Sequence, residues 1–299
     1  MGRNSASADS LRFHLESASW LPARGPFRAF DQQWRIATTD RALAQHLDDL
    51  YAGARVAEGA TVGSGVTYRV LPVDGEQPGI LAREAEVLIS ARDPARLLGR
   101  LIWTINRQVI DNSVAPLLLH AACARLDDAC VLLPAAMEAG KTTLVAGLID
   151  RGAVYLTDEA AAIDEHLMVE GFAKPLSIDA GSWTVLPHHE PTIPPALRAY
   201  HRRQWQVPAP RVTRRGRLSL IVFPSYEAGS STRLERLEPI QALERALPCT
   251  FAQEGETVPA RKVAMLASIV TEVPCYTLVL DDLDAACCAI LNLLSDLPP

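Results

Sequence analysis

The sequence predicts an α/β protein in which a small N-terminal α+β domain precedes a larger domain built on a mixed sheet. Strand-like and helix-like segments alternate from residue 115 onward, whereas the first part combines short strands with amphipathic helices. The chain has 299 residues, of which 48% are hydrophobic and 21% charged, which is enough apolar material for a large core. We therefore expect a disordered tail over residues 1–10, an α+β domain over 11–114 and the larger domain over 115–299.

In the first domain, apolar patterning predicts the elements in order. Strand patterns are expected at 27–39, 66–73 and 80–90, and a glycine-rich loop at 59–65 separates the first two. Thr39-Asp40 is typical of a helix start and precedes an amphipathic segment at 41–52. Asp93-Pro94 begins a long helix. No catalytic grouping is found here, so this domain is interpreted as a scaffold or a partner-docking unit.

The second domain begins with two buried strands at 116–124 and 129–133, joined by a turn at 125–128. A loop leads to a helix at 141–151, which Gly152 ends, and a strand at 153–157 follows. Further strands are predicted at 161–164, 167–172, 183–186, 218–224 and 275–280, and further helices at 240–247, 261–270 and 283–294.

Composition excludes several classes of protein. There are 29 Lys plus Arg against 35 Asp plus Glu, so the net charge of −6 argues against a nucleic-acid-coating protein. No apolar run approaches a membrane span, and the polar N-terminus does not resemble a secretion signal. The six cysteines show no CxxC spacing. We expect a reduced, cytoplasmic protein that contacts neither membrane nor nucleic acid.

A phosphate-binding loop is predicted between the second strand and the helix that follows it. Gly140-Lys141-Thr142 matches the second half of GxxxxGK[ST], in which backbone N–H groups and the lysine hold phosphates and the hydroxyl holds magnesium. The first half departs from the pattern, because Ala135 replaces the leading glycine. Glu138 adds a charge that costs on the order of 3 kcal/mol at about 5 Å from a phosphate. The nucleotide-binding residues expected from this loop are Ala136, Met137, Glu138, Ala139, Gly140, Lys141, Thr142 and Thr143.

An acid pair, Asp158-Glu159, ends the strand that follows the helix. A right-handed crossover is expected to place this strand beside the loop strand, so that both carboxylates lie near the phosphates. One acid would then hold Mg²⁺ together with Thr142, and the other would accept a proton from an attacking hydroxyl group. His120 lies in the neighbouring apolar strand and can orient the base, although a lone buried histidine is also common in a protein core.

These residues together resemble the HPr kinase/phosphorylase superfamily, which is related to the phosphoenolpyruvate carboxykinase core. The resemblance extends from about Leu117 to Leu176 and is more distant to the C-terminus. Its segments are His120-Ala-Ala-Cys, Gly140-Lys-Thr-Thr-Leu, Leu148-Ile-Asp-Arg-Gly, Tyr155-Leu-Thr-Asp-Glu and Lys174-Pro-Leu-Ser-Ile. It is most similar to the HPr-kinase-related proteins of bacterial peptide-modification clusters, lasso-peptide kinases among them.

The resemblance implies a P-loop kinase that uses ATP and Mg²⁺. Lys141 would contact the phosphates, Thr142 would hold Mg²⁺, Asp158 would be the base, Glu159 a metal or network partner, and His120 would orient the base. The acceptor would be a hydroxyl group, most simply of Ser, on a peptide or small protein, and a homo-oligomer is possible. The alternative is a degenerate, non-catalytic module that binds a nucleotide or a peptide, which Ala135 and Glu138 favour.

Two further features are weighed and mostly set aside. The arginine-rich stretch from Arg202 to Arg217 can dock an acidic peptide or close over phosphates, but a solvated loop is the simpler interpretation. His188-His189 lacks other ligands at metal-binding spacing, so a metal site is not expected there. Lys174, before Pro175, can reach the active edge, and either Lys174 or Arg233 can supply charge there, but a surface position is the default interpretation of both.

Overall fold

The first half of the chain folds around a five-stranded sheet. The computed structural model describes residues 8–57, 59, 63, 65–136, 139–209, 211–252 and 258–297. The elements of the first part are α1 (Ala8–Ser17), β1 (Arg24–Ala29), β2 (Gln32–Thr38), α2 (Arg41–Leu50), β3 (Val66–Leu71), β4 (Gly79–Arg83), β5 (Glu86–Ala91) and α3 (Pro94–Asp111). The strands lie in sequence order, and only β2 and β3 pair in parallel.

Local chemistry accounts for the starts of α2 and α3. Asp40 accepts a hydrogen bond from the backbone N–H of Leu43 at 2.6 Å, and Asp93 accepts one from Ala95 at 3.0 Å. These carboxylates satisfy N–H groups that have no partner inside the helix, and Pro94 suits the first helical position. Both helix starts are therefore where the sequence predicted them.

The second half forms a three-layer α/β structure. Its elements are β6 (Leu117–Leu126), β7 (Ala129–Pro134), α4 (Lys141–Asp150), β8 (Val154–Thr157), β9 (Ala160–Ile163), β10 (Met168–Gly171), β11 (Leu176–Asp179), α5 (Arg198–His201), β12 (Gln204–Val207), β13 (Arg215–Tyr226), β14 (Arg233–Arg236), α6 (Pro239–Ala246), α7 (Ala260–Glu272), β15 (Cys275–Leu280) and α8 (Leu283–Ser295). Eight strands form a mixed sheet in the order β10-β9-β6-β7-β13-β15-β14, with β8 paired to β6, and β11 pairs with β12 separately.

Both faces of this sheet are covered by helices. Val131 and Leu133 of β7 pack into the same cluster as residues of α4 and α8, whereas Cys130 and Leu132 pack into a cluster with residues of α6 and α7. Alternate residues of a strand point to opposite faces, so a strand with a helix layer on each side must be apolar throughout. This explains the uninterrupted apolar run that marks β7 in the sequence.

The two halves share one buried cluster. Trp34 of the first sheet lies edge-on to Phe172, with ring centroids 5.7 Å apart, and Leu197 and Tyr200 belong to the same cluster. The side chains of the first half therefore help to support the segment after β10, which leads directly into the candidate site.

Several sequence expectations require correction. β8 does not lie beside β7; it pairs antiparallel with β6, which separates the two strands. The strand expected at 183–186 is a turn, and the strand expected at 27–39 is a hairpin. Of the expected disordered tail, residues 8–10 begin α1, and residues 1–7 lie outside the described ones. Helix α1 and the β11–β12 pair were not predicted. Among the described residues, no helix has both the length and the apolar character needed to cross a membrane.

Candidate functional site

The loop between β7 and α4 ends in a left-handed glycine. Gly140 has φ of 82° and caps the amino end of α4, a conformation that a side chain would strain. Lys141 folds back over the loop, where its Nζ donates to the carbonyl oxygens of Ala135 at 2.8 Å and Ala136 at 2.6 Å. The predicted loop residues Met137 and Glu138 lie outside the described residues.

Asp158 is held by three donors at the end of β8. Thr142 Oγ1 donates to its Oδ2 at 2.9 Å, and the Tyr155 hydroxyl donates to its Oδ1 at 2.7 Å. Lys174 Nζ lies 2.8 Å from the same Oδ1, and the two residues are only 4% and 3% exposed. Although β8 is not next to β7, both strands run antiparallel to β6, so their carboxyl ends reach the same edge of the sheet.

Lys174 lies at the active edge, which the sequence analysis offered as the alternative to a surface position. It is buried against Asp158, and it also donates to the carbonyl oxygen of Pro175 at 3.0 Å. A charged side chain is buried only when it is paired and hydrogen-bonded, as it is here. The one available signal was its place in an otherwise apolar run, Phe172-Ala173-Lys174-Pro175-Leu176.

A cavity of about 650 Å³ opens at this edge of the sheet. It is lined by His120, Gly140, Lys141, Thr142, Thr143, Asp158, Glu159, Lys174, Ser177, Ile178, Asp179, Gly181, Ser182 and Gln204. The structure thus brings together predicted residues from three separate segments, whereas the predicted loop residues Ala136 and Ala139 are not among those that line the cavity. Ser177, Asp179, Ser182 and Gln204 were not predicted, because the β11–β12 pair and the turn before residue 183 carry no motif.

Burial governs the charges around the cavity. It raises the pKa of Glu159, against the opposing charge of Lys174, and it lowers the pKa of Lys141. In the described part of the chain, no side-chain hydrogen bond is formed by the Glu159 carboxylate. Glu159 therefore faces the cavity as a more basic carboxylate than an exposed glutamate.

His120 lies on the cavity wall as a neutral side chain. Burial, together with the nearby charge of Lys141, lowers its pKa to about 4. Its ring centroid is 5.8 Å from that of Phe251, and among the described residues no hydrogen bond joins it to Asp158 or Glu159. The structure therefore places His120 beside the acid pair without the direct contact by which it would orient a base.

The opposite wall is tied to α4 by short polar contacts. The hydroxyl groups of Thr143 and Ser182 are 2.6 Å apart. Ser177 donates to Gln206 at 2.8 Å, and Gln204 donates to Asp179 at 2.8 Å. These contacts connect the first turn of α4 to the β11–β12 pair and hold both walls of the cavity in a defined position.

Neither the arginines of the 202–217 stretch nor the pair His188-His189 are among the described residues that line this cavity. Arg202 and Arg203 each contact Asp93 at 2.8 Å. His188 and His189 both contact the carboxylate of Asp150, at 2.8 and 3.0 Å, so the three ligand atoms form a potential metal site. Asp150 ends α4, about 14 Å of helix from the phosphate loop, and the histidines are already satisfied by its carboxylate.

Comparisons with known proteins give a distant structural relative. No protein-family model and no curated protein match the sequence. Among solved structures, the HPr(Ser) kinase/phosphatase from Coxiella burnetii is similar over 60% of this chain and 88% of its own, with 12% identity and a TM-score of 0.31. The mixed α/β fold is established by the strand order and the helix layers described above, and the function is inferred from the residues of the cavity.

Proposed function

We propose that the chain is a phosphotransferase that uses ATP and Mg²⁺ to phosphorylate a hydroxyl group of a peptide or small protein. The observation that carries this proposal is the contact of 2.9 Å between Thr142 Oγ1 and Asp158 Oδ2 at the amino end of α4, inside the 650 Å³ cavity. A hydroxyl and a carboxylate from separate segments meet where a helix presents its positive end. A volume of this size also suits a ligand as large as a nucleotide.

The residues present fit a phosphate group. The first N–H groups of α4 have no partner within the helix, and the helix dipole adds partial positive charge at that end. Lys141 supplies a positive charge, and among the described residues its hydrogen-bond partners are two backbone carbonyl oxygens. An anion can replace those carbonyls as the partner of Lys141.

The residues present also fit a magnesium ion. Mg²⁺ prefers oxygen ligands and is commonly held by one or two carboxylates together with substrate phosphates. Thr142 and Asp158 would hold it, and when bound it would neutralise charge on the transferred phosphoryl group. Lys174 would stay paired with Asp158 and keep that carboxylate oriented.

The contacts of Asp158 and Glu159 favour the reverse of the roles that the resemblance implied for them. Asp158 already contacts three donors, which hold both of its oxygens in place and make it a well-oriented ligand. Among the described residues no donor contacts the Glu159 carboxylate, and burial raises its pKa, so it is better suited to accept the proton of the attacking hydroxyl group. We therefore propose Asp158 for metal binding and Glu159 as the general base, with neutral His120 on the wall beside them.

The proposal predicts that Lys141→Met removes most of the nucleotide affinity. Losing a charged contact to phosphate should weaken Mg·ATP binding by roughly tenfold or more. The measurement is the rise in melting temperature when Mg·ATP is added, since a ligand of the native state must stabilise it. The substitution also leaves two loop carbonyl oxygens without their donor, which can change the melting temperature of the free protein. The comparison between variants therefore uses only the rise in melting temperature that Mg·ATP causes. Lys262→Met is the matched control, as Lys262 is the one lysine of the sequence that does not line the cavity.

A second candidate function is nucleotide binding without transfer. It is favoured by the two hydrogen bonds that Lys141 donates to carbonyl oxygens of its own loop, because they engage the ammonium group that would otherwise contact a phosphate. A Mg·ATP-dependent thermal shift without ATP consumption in the presence of Ser-containing peptides would establish this second function. The absence of any shift in the wild-type chain would contradict both.

A further inference from the structure

The outer face of α3 carries a row of arginines. Arg96, Arg100, Trp103 and Arg107, here called the α3 arginine face, follow one another at spacings of four, three and four residues, which places them on one side of the helix. The opposite side is buried through Leu97, Leu101 and Ile105 among other residues. The face is therefore held rigidly by the core behind it.

The charge of this face is only partly compensated. Arg107 pairs with Asp111 at 2.8 Å. In the described part of the chain no carboxylate pairs with Arg96 or Arg100, and Arg100 instead stacks over Trp103, with its Cζ 4.2 Å from the ring centroid. The surface is thus locally basic in a chain whose net charge is −6.

Trp103 adds an apolar element to the face. It is 50% exposed, which is unusual for the largest side chain. Tryptophan and arginine side by side are typical of the residues that dominate binding energy at interfaces. A solvated helix face needs neither an exposed tryptophan nor unpaired arginines around it.

A second cavity lies beside this face and shares a lining residue with the candidate active site. It has a volume of about 370 Å³, and its wall includes Arg96, Arg100, Trp103, Tyr200, Arg203 and Gln204. Among the described residues that line it, none is acidic. Gln204 also lines the 650 Å³ cavity, so the two cavities share a wall residue.

The face is long enough for a short extended peptide. From Arg96 to Arg107 the helix extends about 16 Å, which equals about five residues of extended chain. The face thus has the length of a short peptide-binding surface.

We propose that the α3 arginine face and its cavity bind an extended acidic segment of the peptide whose hydroxyl group is phosphorylated. The proposal rests on the proposed function for the identity of that peptide. Carboxylates of the segment pair with Arg96 and Arg100, and an apolar side chain packs on Trp103. The phosphorylated hydroxyl group lies a few residues away, in the 650 Å³ cavity.

The test is direct peptide binding without nucleotide. A fluorescein-labelled peptide with one Ser followed by alternating Glu and Ala is titrated with the chain, and fluorescence anisotropy is measured at low and high salt. The expected result is binding that R96E/R100E weakens by about tenfold or more and that salt weakens in the wild type. W103A should weaken binding severalfold at both salt concentrations, because its contribution is apolar.

The matched control is R217E/R236E. Both of these arginines are exposed, neither lines either cavity, and their reversal changes the net charge by the same amount. Binding by this variant should stay within about twofold of the wild type if the effect is local and not a matter of net charge. All four positions are exposed, so circular dichroism should show the same fold for both variants.

Several outcomes would overturn the inference. Equal losses in the two charge-reversal variants would show a general charge effect, and equally tight binding of a Lys-Ala peptide would exclude acidic recognition. Tighter binding of a single-stranded oligonucleotide would assign the face to nucleic acid instead. The proposed function can fail independently of this inference. If the chain binds the acidic peptide but never consumes ATP, the peptide site stands and the transferase activity is contradicted. If R96E/R100E phosphorylates the peptide with the same KM for peptide as the wild type, the peptide site is contradicted and the activity stands.

Discussion

Asp158→Asn is expected to lower the free energy of unfolding by about 3 kcal/mol and to abolish phosphoryl transfer. The substitution keeps the shape of the side chain but leaves the ammonium group of Lys174 buried without a counter-charge. Removing one partner of a buried ion pair is far more damaging than removing both, because the remaining charge stays desolvated. Denaturant unfolding measures the loss, and ATP consumption with peptide measures transfer.

A double-variant cycle separates the ion pair from other effects. Lys174→Met should also destabilise the chain, whereas the double variant Asp158→Asn with Lys174→Met should recover part of the loss. Additive losses would mean that the two side chains do not interact. A loss below about 1 kcal/mol in each single variant would place the pair in solvent and contradict the buried geometry.

Glu159→Gln is expected to reduce turnover by about 100-fold or more while Mg·ATP binding persists. The amide cannot accept the proton of the attacking hydroxyl group, but it fills the same space and leaves the contacts of Thr142 and Asp158 in place. The measurements are kcat with peptide acceptor and the thermal shift with Mg·ATP. Unchanged kcat in this variant, combined with a large loss in Asp158→Asn, would return the role of base to Asp158.

Glu159→Gln is not expected to lower the stability of the fold, in contrast to Asp158→Asn. Burial raises the pKa of Glu159 in the folded state above its ordinary value of 4.5, so folded Glu159 keeps its proton at pH values where the unfolded chain has lost it. Its ionisation therefore opposes folding as the pH rises through the raised pKa. At neutral pH, Glu159→Gln should unfold at the same temperature as the wild type or higher, in contrast to Asp158→Asn.

The pH dependence of turnover follows from the same shift. A general base must be deprotonated, so kcat of the wild type should fall as the pH decreases through the raised pKa of Glu159. The midpoint of this decrease should lie at a higher pH than it would for an exposed glutamate. His120 is already neutral at these pH values, since its pKa is about 4, and should add no limb near neutrality.

Local patterns predicted most elements because they depend on neighbouring residues. The caps at Asp40 and Asp93, the glycine that begins α4 and the alternation of β7 are each decided within a few positions of the chain. The sequence analysis predicted a single strand at 27–39, where the structure has two strands joined by a turn. The turn contains Phe30, whose positive φ of 52° is rare for such a residue, so the sequence gives no signal of a turn there.

By itself, the sequence determined that a glycine, a lysine and a hydroxyl follow a buried strand, and that an acid pair ends a later one. Only the tertiary structure decided that β6 lies between those two strands, that Lys174 is buried against Asp158, and that arginines of α3 line a cavity which shares Gln204 with the candidate site. The reason is physical. Strand order and the burial of a charge depend on contacts between residues distant in the chain, whose free energies no local pattern contains.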